Sequence, residues 1–402
     1  MKFMRCKGGD LCNSSSMRYF FILLWLSSMC AAKTVELSFP GLKHRVLIAL
    51  PDNYNPQKKY PAVFYYHGTN GVPNTSFVLE HVDSREWIVV GMAYQQLGRF
   101  TLTPENLGKE LSLLQSVRRH LELKYSLDQN KCYITGFSKG GWMTDMLLQL
   151  EPNLAGGAIL GAGHMHNLKN LKIAVPKKRT KRNVYIGVGR MDGNYPMGLA
   201  AVIFHRGRGA YTTFDPWYGL GHQLPREGST ALQQWFALQL YASKDIKEIA
   251  LAEMQGELKA AEKLDPYQQW ALLRQLENFP YTQVLGEEWK KTLLEKKSAL
   301  EAKPPVKIES GFLVQHQKLL VREVRAPSLK TFESLAKDYL ALIKKAPATK
   351  QAELARHDQK RVSELLVLFQ EQAKEKAAEK KNGFDPVDQD TRRRIPRNPL
   401  VK

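Results

Sequence analysis

The sequence predicts an α/β fold: a mostly parallel β-sheet with helices on both faces, followed by a C-terminal α-helical extension. Up to about residue 245, short apolar runs alternate with amphipathic helical segments, and this alternation is typical of parallel sheets. Beyond that point glycine becomes rare, and glutamate, lysine, alanine, leucine and glutamine dominate, which favours helices. With 402 residues, the chain is long enough for a large core and more than one domain.

The N-terminus has the pattern of an export signal. An apolar run at 19–26 follows a basic residue and precedes small residues that end at Ala32. The run is too short to span a bilayer as a stable helix, so residues 1–32 are predicted to be a cleaved signal peptide. Met17 is an alternative start, and Cys30 leaves a lipoprotein alternative open. We expect a secreted or periplasmic bacterial protein without a stable membrane span.

The charge and the cysteine content indicate which partners and which cross-links to expect. The formal net charge is +20 at pH 7, and such an excess can attract nucleic acid, anionic membranes or acidic polymers. Because the basic residues are spread along the chain, we expect a solvated surface and no nucleic-acid partner. The basic run at 177–182 is interpreted as an exposed turn, with an anionic-polymer patch as the alternative. Of the four cysteines, Cys132 would remain after signal cleavage, so no disulfide framework is expected.

The elements of the sheet domain follow in order from residue 34. An alternating run and a mostly apolar run, joined at a Pro-Gly turn, predict an opening hairpin. Continuous apolar runs predict strands that are buried on both faces, and leucines at helical spacing predict a long amphipathic helix. The predicted segments are the hairpin strands 34–39 and 44–50, strands 61–66 and 87–93, helix 104–125, strand 132–134, helix 142–150, strand 157–160, a strand from 183, and helix 229–241.

The segment at 136–140, Gly-Phe-Ser-Lys-Gly, lies between the predicted strand 132–134 and the predicted helix 142–150. A serine between two glycines at a strand-to-helix turn is typical of a nucleophile elbow. The sharp turn lifts the serine oxygen clear of the sheet, and the small residues let strand and helix cross closely. Ser138 is therefore the predicted nucleophile, with an ordinary loop serine as the alternative.

Two later residues fit the roles that an activated serine needs, because a serine hydroxyl is a poor nucleophile until a base takes its proton. His222 lies in a glycine-rich loop before a helix and is the predicted base. Asp192 follows an apolar β run and would orient the imidazole and stabilise its cation. Asp145 and Asp215 are rival carboxylates, and a histidine that merely caps the next helix is the alternative for His222.

The chain order serine, aspartate, histidine, with a histidine-glycine turn after an early strand, resembles the α/β-hydrolase superfamily over residues 34–245. Within it, the chain is similar to secreted serine esterases such as polyhydroxybutyrate depolymerases and feruloyl esterases. The resemblance implies the α/β-hydrolase fold and no metal or organic cofactor. It also implies an oxyanion hole made by the backbone N–H of Lys139 and an N–H from the turn at 67–71, assigned to Thr69.

Residues at the ends of the predicted strands are candidates for the substrate-binding walls. This set comprises Tyr94, Gln95, Trp142, His164, His166, Met191 and Trp217. The pair His164 and His166 leaves a metal alternative open, but neither a cysteine nor a carboxylate stands nearby in sequence, so no metal site is predicted.

The predicted domains are a signal peptide (1–32), an α/β-hydrolase catalytic domain (33–245), a helical C-terminal region (246–380) and a basic, disordered tail (381–402). Asp265 with the following proline, and Ser328, are predicted helix starts. The helices carry apolar residues that must be buried, so we expect them to pack on the catalytic domain. The alternative is an independent module whose basic tail binds an anionic polymer or the cell envelope.

Together these features predict a secreted serine hydrolase that cleaves carboxylic esters through an acyl-enzyme. The expected substrates are short esters or acyl groups displayed on a polymer, because the one stretch that could form a lid, at 164–182, is short. A serine peptidase similar to prolyl oligopeptidases, and a non-catalytic binding protein with this fold, remain the alternatives.

Overall fold

A computed structural model of the chain describes residues 34–96, 101–165, 168, 173, 175, 182–225, 228–241, 243–325 and 328–381. The predicted signal peptide and nearly all of the predicted tail lie outside the described residues. His166, most of the basic run at 177–182 and most of the predicted lid segment lie outside them as well.

One eight-stranded sheet forms the core of the sheet domain, which comprises the described residues up to Tyr241. Its strands are β1 (Thr34–Leu37), β2 (Val46–Ala49), β3 (Tyr60–Tyr66), β4 (Ile88–Met92), β5 (Leu127–Phe137), β6 (Gly156–Leu160), β7 (Asn183–Gly189) and β8 (Tyr211–Trp217). The spatial order is β1-β2-β4-β3-β5-β6-β7-β8. Strand β2 is antiparallel to both β1 and β4, whereas the pairs from β4 to β8 are parallel. This is the strand order of the α/β-hydrolase fold, and the predicted fold class is confirmed.

Helices cover both faces of this sheet. Those of the sheet domain are α1 (Ser76–Leu79), α2 (Pro104–Lys124), α3 (Lys139–Leu150), α4 (Tyr195–Gly207) and α5 (Thr230–Leu240). One face is packed by α2 through Leu107, Val117 and Leu121. The other face is packed by aromatic side chains that include Trp87 and Trp235. Two apolar layers therefore hold the sheet, as its continuous apolar strands require.

Strand β5 carries Cys132 in one of these layers. The side chain is fully buried and its thiol is free. Burial raises the pKa of Cys132 to about 12, because a thiolate loses its hydration in an apolar interior. The residue thus acts as a small buried side chain of the core.

The C-terminal region is helical. Its helices are α6 (Ser243–Ala261), α7 (Pro266–Leu276), α8 (Pro280–Glu301), α9 (Pro304–Arg325), α10 (Leu329–Lys345) and α11 (Lys350–Lys381). Asp265 caps α7 by accepting from the N–H groups of Tyr267 and Gln268, and Ser328 caps α10 by accepting from Thr331. Both predicted helix starts are therefore present.

These helices pack on the sheet domain. The apolar cluster of α6 to α9 continues onto α5 through Ala237 and Leu238. A second contact joins Leu320 of α9 to Val188 of β7 and Tyr195 of α4. Among the described residues, no helix combines the length and the hydropathy needed to cross a membrane.

Candidate active site

Ser138 sits on a strained turn between β5 and α3. Its backbone has φ 56° and ψ −115°, a region that side-chain-bearing residues adopt only when the surroundings enforce it. The Ser138 N–H donates to the carbonyl of Leu160 at 2.9 Å, and its carbonyl accepts from the Trp142 N–H at 3.0 Å. A Cβ at Gly140 would lie 1.9 Å from the carbonyl oxygen of Tyr66, so the crossing of α3 over β3 requires glycine there.

The structure brings the side chains of Ser138, His222 and Asp192 into one hydrogen-bonded series. His222 Nε2 lies 2.8 Å from Ser138 Oγ, and His222 Nδ1 lies 2.7 Å from Asp192 Oδ2. A carboxylate can only accept, so the tautomer that fits carries its proton on Nδ1 and accepts the serine proton at Nε2. The arrangement can remove a proton from Ser138 and stabilise the resulting imidazolium.

Asp192 is fixed by the turn that follows β7. Its N–H donates to the carbonyl of Gly189 at 3.0 Å, and its Oδ1 accepts from the N–H of Asn194 at 2.9 Å. One carboxylate oxygen is thus held by backbone and the other faces His222. The imidazole is supported from the side by Phe137, whose ring stacks on it with centroids 5.1 Å apart. Sequence reasoning missed both Asn194 and Phe137 as supports.

The two rival carboxylates are engaged elsewhere. Asp145 lies 3.0 Å from His164 Nδ1 and 2.9 Å from His205 Nε2. Burial alone would raise the pKa of Asp145, but these two histidines outweigh burial and hold it below its usual range. Asp215 accepts from Tyr185, Ser229 and Trp217, and burial raises its pKa. Of the three aspartates, Asp192 is the one whose carboxylate contacts His222.

The histidine-glycine turn after β3 lies beside Ser138. A Cβ on Gly68 would stand 3.7 Å from the Ser138 Cβ, and the next residue, Thr69, is exposed. His67 Nδ1 lies 2.8 Å from the carbonyl oxygen of Gly68, and burial lowers the pKa of His67. The neutral His67 imidazole therefore donates through Nδ1 to the Gly68 carbonyl and stabilises the turn at 67–71. The backbone of this turn therefore lies close to Ser138, and Lys139 is the first residue of α3. The oxyanion-hole role of Thr69 and Lys139 stays a prediction.

A buried carboxyl group supports the strand end beside Ser138. Glu110 of α2 accepts from the N–H groups of Gln95 and Gln96 at 2.8 and 3.2 Å, and burial raises its pKa to about 7. Lys139 donates through Nζ to the Gln96 carbonyl at 3.2 Å and lies 3.9 Å from the Tyr94 ring centroid. The sequence carried a signal for Glu110, because it falls among the buried positions of the leucine stripe.

The candidate wall residues divide into two groups. Tyr94 and Trp217 are buried and donate to the His67 carbonyl and to Asp215. His164 stacks on Phe204 with ring centroids 3.6 Å apart and bonds to Asp145. Gln95 and Trp142 are partly exposed, as is Met191 to a greater degree. A substrate-binding role for the set stays a prediction, and Gln95, Trp142 and Met191 have the accessible side chains that such a role needs.

A cavity of about 220 Å³ is lined by Tyr218, Leu220 and Pro225 of the loop that carries His222, and by Gln275 and Phe279 of the helical region. Ser138, Asp192 and His222 are not among its lining residues. The helical region therefore contacts the space next to this loop. Within the part of the chain that the structure describes, no three histidine, cysteine, aspartate or glutamate side chains form a metal-binding cluster.

Comparison with known proteins concerns the fold. The sequence matches no protein-family model and no curated protein. It is similar in structure to SOBER1 from Arabidopsis thaliana, at 15% identity over 45% of this chain and 99% of that chain, with a TM-score of 0.38. It is also similar to a phospholipase/carboxylesterase from Dyadobacter fermentans, at 15% identity over 47% and 94%, with a TM-score of 0.38. A feruloyl esterase module from Clostridium thermocellum gives 16% identity over 53% and 88%, with a TM-score of 0.37. At these scores the likeness adds no functional argument, and the fold assignment rests on the strand order.

Proposed function

We propose that the chain is a secreted serine hydrolase that cleaves carboxylic esters through an acyl-enzyme. One observation supports the proposal above all: Ser138 Oγ, His222 and Asp192 form a continuous hydrogen-bonded series with distances of 2.8 and 2.7 Å. The serine of this series also occupies a strained elbow, and strain of this kind is concentrated at functional sites.

The geometry suggests an acyl-transfer mechanism. His222 Nε2 takes the proton of Ser138 as Oγ attacks the ester carbonyl, and Asp192 stabilises the imidazolium. The tetrahedral oxyanion would be held by the backbone N–H groups of Lys139 and Thr69. The imidazolium then gives its proton to the departing alcohol, which leaves an acyl group on Ser138. In the second half, His222 activates a water molecule that releases the acid and restores the serine.

Substitution of the proposed nucleophile and base tests this mechanism. Ser138→Ala and His222→Ala should each lower kcat on a short-chain ester by about 10⁴-fold or more, and the double variant should lose little beyond either single variant, because the two residues act as a unit. The melting temperature of Ser138→Ala should match wild type, since the exchange removes one oxygen at the rim of the sheet. A single variant with the wild-type rate would contradict the assignment.

A chemical probe and a substrate panel separate the esterase proposal from its alternatives. A fluorophosphonate should label wild type at Ser138 and leave Ser138→Ala unlabelled, and an unlabelled wild type would favour a non-catalytic binding protein. On the panel, short-chain esters should be cleaved faster than peptide amides. They should also be cleaved faster than long-chain lipid emulsions, because the site is expected to be open, with the His222 side chain 29% exposed.

A further inference from the structure

Arg190 links the two loops that hold Asp192 and His222. It follows β7 directly, two positions before Asp192, and is 4% exposed. Its N–H donates to the carbonyl of Trp217 at 2.8 Å, and the N–H of Met191 donates to the carbonyl of Leu220 at 2.9 Å. These two bonds tie the turn of Asp192 to the loop that leads to His222. A displacement of Arg190 would therefore move both catalytic side chains relative to Ser138.

The side chain of Arg190 pairs with a carboxylate from the C-terminal helices. Its Nη2 lies 2.8 Å from Asp358 Oδ2 on α11, and its guanidinium carbon lies 4.4 Å from the ring centroid of Tyr195. His316 of α9 donates through Nε2 to the same Asp358 oxygen at 2.7 Å. The guanidinium is thus held by residues from α4, α9 and α11 at once.

The pair belongs to a fully buried charge network. Arg361 bonds to Glu323 in a bidentate manner and lies 3.3 Å from Asp358 Oδ1. The exposed fractions of Asp358, Arg361 and Glu323 are 1, 2 and 2%. Burial alone would raise the pKa of Asp358, but the charge of Arg190, the bond from His316 and the charge of Arg361 outweigh burial and hold it well below its usual range. Asp358 therefore stays ionised opposite Arg190.

Such a network is expected to fix the orientation of its side chains more than to increase the stability of the fold. Buried ion pairs are often no more stabilising than apolar side chains of similar volume, because desolvation opposes their attraction. Apolar contact is already available here, since Leu320 of α9 packs on Val188 and Tyr195. What the ion pair adds is a fixed direction for Arg190 at the end of β7.

We propose that Asp358 is a positioning residue for the catalytic site: by anchoring Arg190, it holds the turn of Asp192 and the loop of His222 in line with Ser138. The C-terminal helices thereby take part in the reaction that the catalytic domain performs, although Asp358 touches none of the three catalytic side chains. This inference rests on the proposed function. A misplacement of about 1 Å in such a site is expected to cost on the order of 10²-fold in rate.

The first test compares two isosteric charge removals in the full chain. Asp358→Asn should lower kcat on a short-chain ester by about 10- to 100-fold with KM nearly unchanged. The control is Glu309→Gln of α9. Glu309 is also buried, and it accepts from the N–H groups of Lys350 and Gln351 at the start of α11. Both variants should melt at a lower temperature, but Glu309→Gln should keep the wild-type kcat. Equal kcat in the two variants would overturn the proposal.

Two further variants cover the case in which Asp358→Asn does not fold. Arg190→Lys keeps the buried charge but loses the planar fork, so it should fold and show about a 10-fold lower kcat. A folded Arg190→Lys with wild-type kcat would overturn the proposal. Because the turn of Asp192 and the loop of His222 both act on the His222 imidazole, Arg190→Lys should add almost no loss in a His222→Ala background. Losses that multiply there would overturn it as well.

Fluorophosphonate labelling separates failure of this inference from failure of the proposed function. Wild type that is not labelled at Ser138 would reject the serine-hydrolase proposal and the inference together. Wild type that is labelled, with Asp358→Asn and Arg190→Lys labelled at the same rate, would reject the positioning role alone. We expect labelling of both variants to be slower by a factor close to the loss in kcat, with Glu309→Gln labelled at the wild-type rate.

Discussion

At the scale of single residues, the site consists of the hydrogen-bonded series of Ser138, His222 and Asp192 together with the buried carboxyl group of Glu110. Ser138, Asp192 and His222 were predicted from chain order and local pattern, and the structure brings them within hydrogen-bonding distance of one another. No comparable motif marks Glu110 in the sequence. Its carboxyl group nevertheless accepts from the backbone of Gln95 and Gln96, and the Gln96 carbonyl in turn accepts from Lys139. A carboxyl group in an apolar layer is a feature of tertiary burial, which a local pattern reports only weakly.

Glu110 should make stability depend on pH. Its folded-state pKa is raised by burial from 4.5 to about 7, so between these values the folded protein binds more protons than the unfolded chain. Stability should therefore fall as pH rises through this window, by on the order of 3 kcal/mol for this group alone. Glu110→Gln does not titrate and should lack this fall.

Urea unfolding at pH 5 and pH 8 checks this prediction. The free energy of unfolding of Glu110→Gln minus that of wild type should be more positive at pH 8 than at pH 5. Glu105→Gln, at an exposed position on the same helix, should follow the wild-type pH dependence. If Glu110→Gln and wild type differ in free energy of unfolding by the same amount at both pH values, the pKa of Glu110 is not raised by burial.

At the scale of elements, the crossing of α3 over β3 decides whether the elbow can form. The Cβ that alanine would add at Gly140 has no room beside the Tyr66 carbonyl. Gly140→Ala should therefore cost several kcal/mol of stability and lower kcat. Gly108 on α2 is the control, because a Cβ there meets nothing within 4 Å, and Gly108→Ala should stabilise by about 0.5 to 1 kcal/mol. Urea unfolding of both variants measures the contrast, and a Gly140→Ala variant as stable as wild type would show that the crossing can adjust.

Strand and helix lengths show where local pattern is sufficient and where it is not. The apolar part of β5 was predicted as 132–134, but the strand spans Leu127–Phe137. Its first half carries polar residues that are exposed or partly exposed, so no apolar pattern marks it. The four-residue α1 (Ser76–Leu79) had no counterpart in the prediction, because one turn is too short to show helical periodicity. Elements that are buried along their whole length, such as β3, were predicted almost to the residue.

At the scale of the whole molecule, the helical region and the sheet domain share an apolar boundary and a buried ion pair. The sequence predicts that the helices must bury their apolar faces against another surface, because apolar residues recur among their charges. It could not predict which residues meet. Arg190 and Asp358 are 168 positions apart, and such a pairing is set by tertiary packing rather than by any local pattern.

Removal of the helices should damage the catalytic domain. A chain that ends after Ser243 would uncover Ala237, Leu238 and Val188 and would remove the carboxylate that pairs with Arg190. We expect the shortened chain to be poorly soluble or to melt several degrees lower, because uncovered apolar surface destabilises the fold. A chain that ends after Lys381 is the control and should melt as wild type does.

Circular dichroism melting together with ester turnover decides the outcome. An unchanged melting temperature with full activity after truncation at Ser243 would contradict an integral role for the helices. Weaker adsorption of that truncated chain to an anionic polymer would then favour the alternative of an independent docking module.

The burial of Cys132 has a practical consequence for watching this protein unfold. With a pKa raised to about 12 and no exposed surface, the thiol should resist alkylation for as long as β5 stays in the sheet. Since β5 leads directly into the elbow, labelling at this position reports opening at the centre of the molecule rather than fraying at its margins. We expect mass spectrometry to find Cys132 unmodified after prolonged exposure to iodoacetamide in buffer and fully modified in urea. Labelling in buffer at the rate of a free thiol would mean that the middle of the sheet opens readily. If Cys132 is protected as expected, its rate of alkylation measures how often the centre of the sheet opens. Cys132→Ser, which has no thiol at this position, is the control.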